Sequence, residues 1–438
     1  MKNKKWLVNQ IAIIGGGLAG LSLADHLADK GFQVTIFEKE KFLGGLAAGF
    51  KKRGWLWYGD FFYHHLFWGD KSFLDWLAKL GLRKEINFYS PKTSVLSEGK
   101  VLPFSTAIDV LRFPHLDFLS RIRFGLGTVL LKSICWLSKM DEVTAASWLP
   151  KLVGNKAFVT LLKPLLLAKF GQDYWDKVSL SWFWARFKSR SFKLGYPKTG
   201  FFGLSLAIGE KLEQKGVKIK FLTQLTKIAK TSEGWELIFK NGEKFVFPKV
   251  VLALPFPQSF KLVKPFLKSE DQRRFSQIKT IAGLNLVLRL KEKFLTDNTY
   301  WLNILNPASP FVVVVEQTNF VPSKFYGDEH LVYVGGYYSL ANPILKKTKL
   351  GVFRLFAPWL RKINLDFEKD LIDFEVFQSQ FAQPVMTTGY RQLKPNFLVG
   401  PPDLYWLSPH HIYPWDRGVN FAVKYGKMLA DQIISSFF

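Results

Sequence analysis

Apolar and polar positions follow three rhythms along this chain. Residues 11–14 form a short continuous apolar run, the pattern of a strand buried on both faces. Leu18, Leu21, Leu23, Ala24, Leu27 and Ala28 then recur at helical spacing, and residues 33–37 read as a second strand with Glu38 at its end. Later the pattern predicts a helix over 206–214 stopped by Gly216, and a strand over 217–222. Residues 235–239 and 244–247 alternate around Asn241-Gly242, a two-residue hairpin turn. Residues 250–254 give one more buried strand, ended by Pro255. Alternating strands follow at 284–290 and 311–315, a turn is read at Gln383-Pro384, and strand 404–407 leads through a loop into a helix starting near Gly418. Between about residues 60 and 190 the pattern is mixed and mostly helical. There, 118–137 and 158–170 are apolar, with Arg121, Arg123 and Lys132 inside the first stretch.

The opening strand–helix–strand unit carries candidate chemistry. Gly15-x-Gly17-x-x-Gly20 follows the first strand directly, with Gly16, Leu18 and Ala19 in the same turn. Gly15 allows the tight turn, Gly17 lets backbone approach a pyrophosphate, and Gly20 lets helix and strand pack closely. The helix N-terminus offers unpaired N–H groups and a positive dipole end to phosphates. Glu38, followed by Lys39, stands where a carboxylate accepts both hydroxyls of an adenosine ribose. Gly44-Gly45, followed by Leu46, brings a second loop against the same pyrophosphate. The expected fold class is therefore α/β, with a Rossmann-like dinucleotide-binding domain and a second α+β domain.

Composition narrows the remaining options. A chain of 438 residues, 48% of them apolar, suggests two domains. The lone cysteine, Cys135, excludes an internal disulfide and fits a reducing cytoplasm; its apolar surroundings predict a core position. No zinc-type Cys/His spacing, GxSxG elbow or Walker lysine occurs, so no metal is expected. The basic start, MKNKKWLVNQ, lacks the apolar core of a signal peptide. The net charge of +26 is spread along the chain without a dense cluster, which argues against nucleic acid and for an anionic small molecule or an anionic membrane surface. The two apolar stretches are too short or too charged to span a bilayer. They read either as core lining a substrate channel or as in-plane helices on a membrane.

The motif GxGxxG…E…GG resembles the opening of the FAD-dependent amine oxidase, phytoene desaturase and protoporphyrinogen oxidase superfamily. Many members carry Arg where this chain has Leu46. Residues 57–70, WYGDFFYHHLFWGD, resemble the DxFYHHxFxxD run of protoporphyrinogen-oxidase-like proteins, and also the G-x-HIFHT run of UDP-galactopyranose mutases. Residues 413–420, YPxDRGxN, resemble the narrower group, with Ser408-Pro409 replacing the usual Gly-Asp. The resemblance implies FAD, non-covalently held, in an amine-oxidase-type (GR2) domain built from 1–75, 190–260 and 385–438. Residues 76–189 and 261–384 would then form the substrate domain. It implies that Leu225 packs by the adenine, that Asp416 meets the ribityl or phosphate region, and that Gly418 leaves room for the flavin ring. Val419 and Asn420 would offer N–H groups to the pyrimidine. His64 and His65 should pass the isoalloxazine, one facing it as a proton-transfer group and the other facing the core. His410 and His411, like that pair, are conceivable attachment points. The implied activity is hydride transfer from a largely apolar substrate (isoprenoid, porphyrin-like or amine) to flavin N5. Two alternatives remain: a redox-neutral mutase on a nucleotide-linked sugar, clamped by Arg186, Arg190, Arg391 and Arg417, and a non-catalytic flavin-binding scaffold. The expected setting is the cytoplasm, with peripheral contact at the inner membrane face as a further reading.

Overall fold

Residues 9–135 and 138–436 are described by the structure, a computed structural model. The basic residues 1–8, and Trp136 and Leu137 at the end of the first long apolar stretch, lie outside the described residues.

The continuous apolar runs become the centre of a five-stranded parallel sheet. Its order is Lys218–Lys220, Gln33–Phe37, Gln10–Ile14, Lys249–Leu252, Leu404–Trp406. Ile11 through Ile14 are buried because both neighbours and both faces are covered. On one face, helix Leu18–Ala28 packs against helix Val419–Ser435. Their approach is so close that a Cβ on Gly426 would stand 2.7 Å from the Ala19 carbonyl oxygen. On the other face lies the antiparallel meander Leu225–Lys230, Trp235–Phe239, Lys244–Phe247, whose Phe239 stacks on Phe37 at 4.6 Å between ring centroids.

A second, seven-stranded sheet has the order Leu371–Val385, Lys279–Leu290, His330–Tyr338, Val313–Glu316, Thr299–Ile304, Lys92–Ser97, Lys100–Pro103. Helices from 107 to 189 flank it. Helix Phe118–Ser133 starts where the Asp117 carboxylate accepts from Ser120 N at 2.9 Å, and Ser179 caps Leu180–Ser189 in the same way.

Three local expectations change. Gln383 and Pro384 lie in strand Leu371–Val385 rather than in a turn; that strand is at the sheet edge, where a residue without an N–H is tolerated. Cys135 is exposed, because its helix ends at Ser133 and releases the chain to the surface. The helix read at 206–214 begins already at Gly200, after a turn in which Thr199 and Gly200 both take positive φ.

Candidate functional site

The two glycine loops meet above the parallel sheet. Gly44 N donates to Gly16 O at 2.9 Å, and Gly17 and Gly44 form an isolated parallel bridge. The three motif glycines are glycine for different reasons. A Cβ on Gly15 would stand 2.4 Å from Ala253 O, and one on Gly20 would stand 2.2 Å from Gly15 O. A Cβ on Gly17 meets nothing nearer than Gly45 Cα at 3.9 Å. The absent side chain at Gly17 therefore keeps space free rather than relieving a clash. Glu38 is buried, and its carboxylate accepts from Gly16 N at 2.7 Å and from Glu40 N at 2.9 Å. Burial raises its pKa, which those two N–H groups partly offset.

One cavity of about 2370 Å³ extends from this cradle. Gly15, Gly17, Leu18, Ala19, Glu38 and Lys39 line it. So do Gly44, Gly45, Leu46, Leu225, and Gly418 through Asn420 at the start of helix Val419–Ser435. Space is open around Gly418, and the Asn420 side chain accepts from Phe73 N at 3.1 Å. The cavity continues past residues 61–65 into the helical region, where Phe124, Leu161, Leu165, Phe183 and Phe187 form an apolar passage. Ile122, Leu126 and Val129 line its far end and are themselves exposed.

Both histidines of the aromatic segment line this cavity. His64 Nδ1 lies 2.6 Å from Phe62 O. A carbonyl only accepts, so Nδ1 carries the hydrogen and Nε2 is left as the acceptor. His65 Nδ1 lies 3.2 Å from the Tyr300 hydroxyl. Burial, reinforced by Arg417, pushes His64 down to about 4. Burial, with Arg190 and His64, pushes His65 down to about 3. Both rings are neutral at neutral pH. One of the pair was expected to face the core, whereas both border the cavity. His410 and His411 are 2% and 1% exposed and are held by Thr280 and Ser408, away from the cavity wall.

A second charged group sits deeper in. Asp416 Oδ2 accepts from Lys169 at 3.2 Å and Arg186 at 2.5 Å. Its Oδ1 accepts from Trp182 Nε1 at 3.0 Å, Gln383 Nε2 at 3.2 Å and its neighbour Arg417 N at 3.0 Å. Burial opposes ionisation, but Lys169, Arg186 and Arg417 outweigh it and hold the carboxyl well below the usual range. Arg417 reaches Gln383 Oε1 at 3.0 Å and the Tyr337 hydroxyl at 2.6 Å. The Lys169 ammonium lies 4.7 Å from the Trp182 ring centroid. Asp416 thus holds five protein donors while bordering the cavity. Arg391 is displaced from its expected role as a clamp: it interacts with Asp141 and does not line the cavity.

Residues 18–434 match the family described as flavin containing amine oxidoreductase. The chain belongs to that family. It is 26% identical over 177 residues to the 15-cis-phytoene desaturase of Synechococcus elongatus, covering 36% of this chain and 37% of that one. The chain spans well under two thirds of the length of the curated desaturases it first matches. Among solved structures it resembles a reduced UDP-galactopyranose mutase (TM-score 0.75, 16% identity, 97% of this chain and 94% of that one). It also resembles cyclohexylamine oxidase from Brevibacterium oxydans (TM-score 0.72, 16% identity, 98% and 99%). At these identities the likeness is one of fold. The α/β architecture with a parallel dinucleotide-type sheet is that of the flavin-containing amine oxidoreductases.

The residues present fit FAD. The open space at Gly17 and Gly418 and the unpaired first N–H groups of Val419–Ser435 all border one cavity. What the motifs did not announce in this flavin-containing family member is the role of Lys169, Trp182 and Gln383. The apolar stretch 158–170 is interrupted by two charges, Lys163 and Lys169, and nothing in the sequence separates the second from the first. No helix among the described residues is long and apolar enough to cross a membrane.

Proposed function

We propose that the protein is an FAD-dependent oxidoreductase acting on an extended, largely apolar small molecule of isoprenoid or porphyrin-like type. The observation that carries this reading is the continuity of the cavity from the glycine loops to helix Phe118–Ser133. Its volume of about 2370 Å³ exceeds the roughly 300–1,000 Å³ of an ordinary ligand pocket, leaving room for a dinucleotide and a long second ligand.

FAD, when bound, supplies the hydride acceptor. Residues drawn from 1–75, 190–260 and 385–438 hold it, and 76–189 with 261–384 shape the passage. Gly17, Gly44 and Gly45 give backbone access to the pyrophosphate, Glu38 holds the ribose, and Leu225 packs by the adenine. The first N–H groups of Val419–Ser435 favour negative charge at their end of the cavity. His64 offers a neutral Nε2 that takes or holds a substrate proton, and the apolar passage excludes water. Helix Phe118–Ser133 exposes Phe118, Leu119, Leu126 and Val129, with Arg123 and Lys132 beside them. We place that face on an anionic membrane surface at the cytoplasmic side, from which an apolar substrate enters.

A second reading, redox-neutral chemistry on a sugar nucleotide, is favoured by the three guanidinium groups, Arg186, Arg190 and Arg417, on the cavity wall. The purified yellow protein, mixed anaerobically with a polyene, a porphyrinogen, a primary amine and a nucleotide sugar, separates these. Loss of flavin absorbance with the polyene or porphyrinogen, and net oxidation of it, is the expected result. Isomerisation of the sugar nucleotide only after prior flavin reduction would replace this reading with the second.

A further inference from the structure

Four cations border one region of the cavity: Lys169, Arg186, Arg190 and Arg417. One carboxylate, Asp416, faces them, and it is already shared between Lys169 and Arg186. No salt bridge among the described residues reaches the Arg190 guanidinium, and no described side chain or carbonyl accepts from it. The Arg190 side chain is exposed on the cavity wall, near enough to Arg186 for the two charges to repel. Lys169 is lowered well below the usual lysine range by burial and by Arg186. Like charges gathered on one wall repel one another, and a bound counter-charge offsets that repulsion. The neighbouring histidines are neutral, so Asp416 stands as one carboxylate against four cations.

Position decides what fits. Arg417 immediately precedes Gly418 at the cradle, and Arg190 follows helix Leu180–Ser189, its carbonyl accepting from Lys132 on helix Phe118–Ser133 at 2.9 Å. The cations therefore stand between the cradle and the apolar passage. The Arg186 and Arg190 forks match planar or tetrahedral oxyanions. We propose that the substrate is an amphiphile: an apolar chain in the passage and an oxyanion, carboxylate or phosphate, seated on Arg190 and Arg186. This inference rests on the apolar-passage reading above and adds a charged anchor to it. Such an anchor fixes the register of a chain that apolar walls alone would let slide, and so selects which carbon meets the flavin.

The test uses the FAD-loaded protein and titration calorimetry with decanol, decanoate, decyl phosphate and inorganic phosphate. At least one decyl anion should bind about tenfold or more tightly than decanol, the effect of one charge-assisted contact. Whichever of decanoate and decyl phosphate gains more names the oxyanion, and competition by inorganic phosphate marks a phosphate seat. Arg190→Gln should erase the preference while leaving decanol binding and flavin content intact, and Arg190→Lys should restore part of it. Equal binding of decanol and both decyl anions, or a preference that survives Arg190→Gln, would overturn the anion seat and leave the apolar passage standing. Binding of inorganic phosphate without decanol would keep the seat and overturn the apolar passage.

Discussion

Replacing Gly17 by valine separates cofactor binding from folding. Gly17 has φ −74° and ψ 168°, a conformation open to any L-residue, and a Cβ there meets nothing within 3.9 Å. The change should leave the apoprotein's stability within about 0.5 kcal/mol, as for a surface substitution. The branched side chain would, however, fill the space above the helix N-terminus and keep the pyrophosphate from its N–H groups. Two lost charge-assisted hydrogen bonds at ~1.5–3 kcal/mol each amount to roughly 3–6 kcal/mol, or about 10²–10⁴ in affinity. Glu38→Ala would remove the proposed ribose contact together with the acceptor of Gly16 N and Glu40 N, and should weaken FAD binding without abolishing it. Gly20→Ala is the opposite control: its Cβ would stand 2.2 Å from the Gly15 carbonyl oxygen, so it should fail in folding. Flavin content after gel filtration and thermal melts with and without added FAD report both effects. Wild type should gain ~2.7 kcal/mol at a hundredfold excess over Kd, and Gly17→Val should gain nothing. A Gly17→Val protein that purifies fully yellow would refute the reasoning.

Other outcomes follow from the same geometry. His64 is lowered to about 4 from an unfolded value near 6.5, so between those values the unfolded chain binds the extra proton and stability falls as pH drops from about 6.5 to 4. His64→Gln should flatten that acid limb in urea titrations, and an unchanged limb would assign it elsewhere. Asp416→Asn should lower stability by ~3–5 kcal/mol, read as a shifted denaturation midpoint at constant slope, because Lys169 and Arg186 lose their shared carboxylate. Leu126→Asp, on the exposed face of Phe118–Ser133, should abolish flotation with anionic vesicles; wild type that never floats would remove the membrane contact.

The dinucleotide unit was legible because it is local. Strand, glycine turn, helix and terminal acid all fall within residues 10–38, and each is set by its own short pattern. The returning strand Lys249–Leu252 and the meander announced themselves by apolar runs and an Asn-Gly turn. The Asp416 cluster was not legible, since Lys169, Arg186 and Gln383 come from three separate elements and meet only through tertiary packing. Alternation placed one histidine in the core, whereas both border the cavity. Cys135 was misread because apolar sequence neighbours say nothing of where a helix ends.

The cradle closes across the chain: Gly426 seats its helix on Ala19, and Val419 borders the same cavity as Gly15. About 400 residues separate these two sides. At a synthesis rate of roughly 5–20 residues per second, the first glycine loop waits about 20–80 s for the helix that completes it. During translation the nascent chain therefore presents only half a flavin site. Completion of the cradle is thus a late event of synthesis.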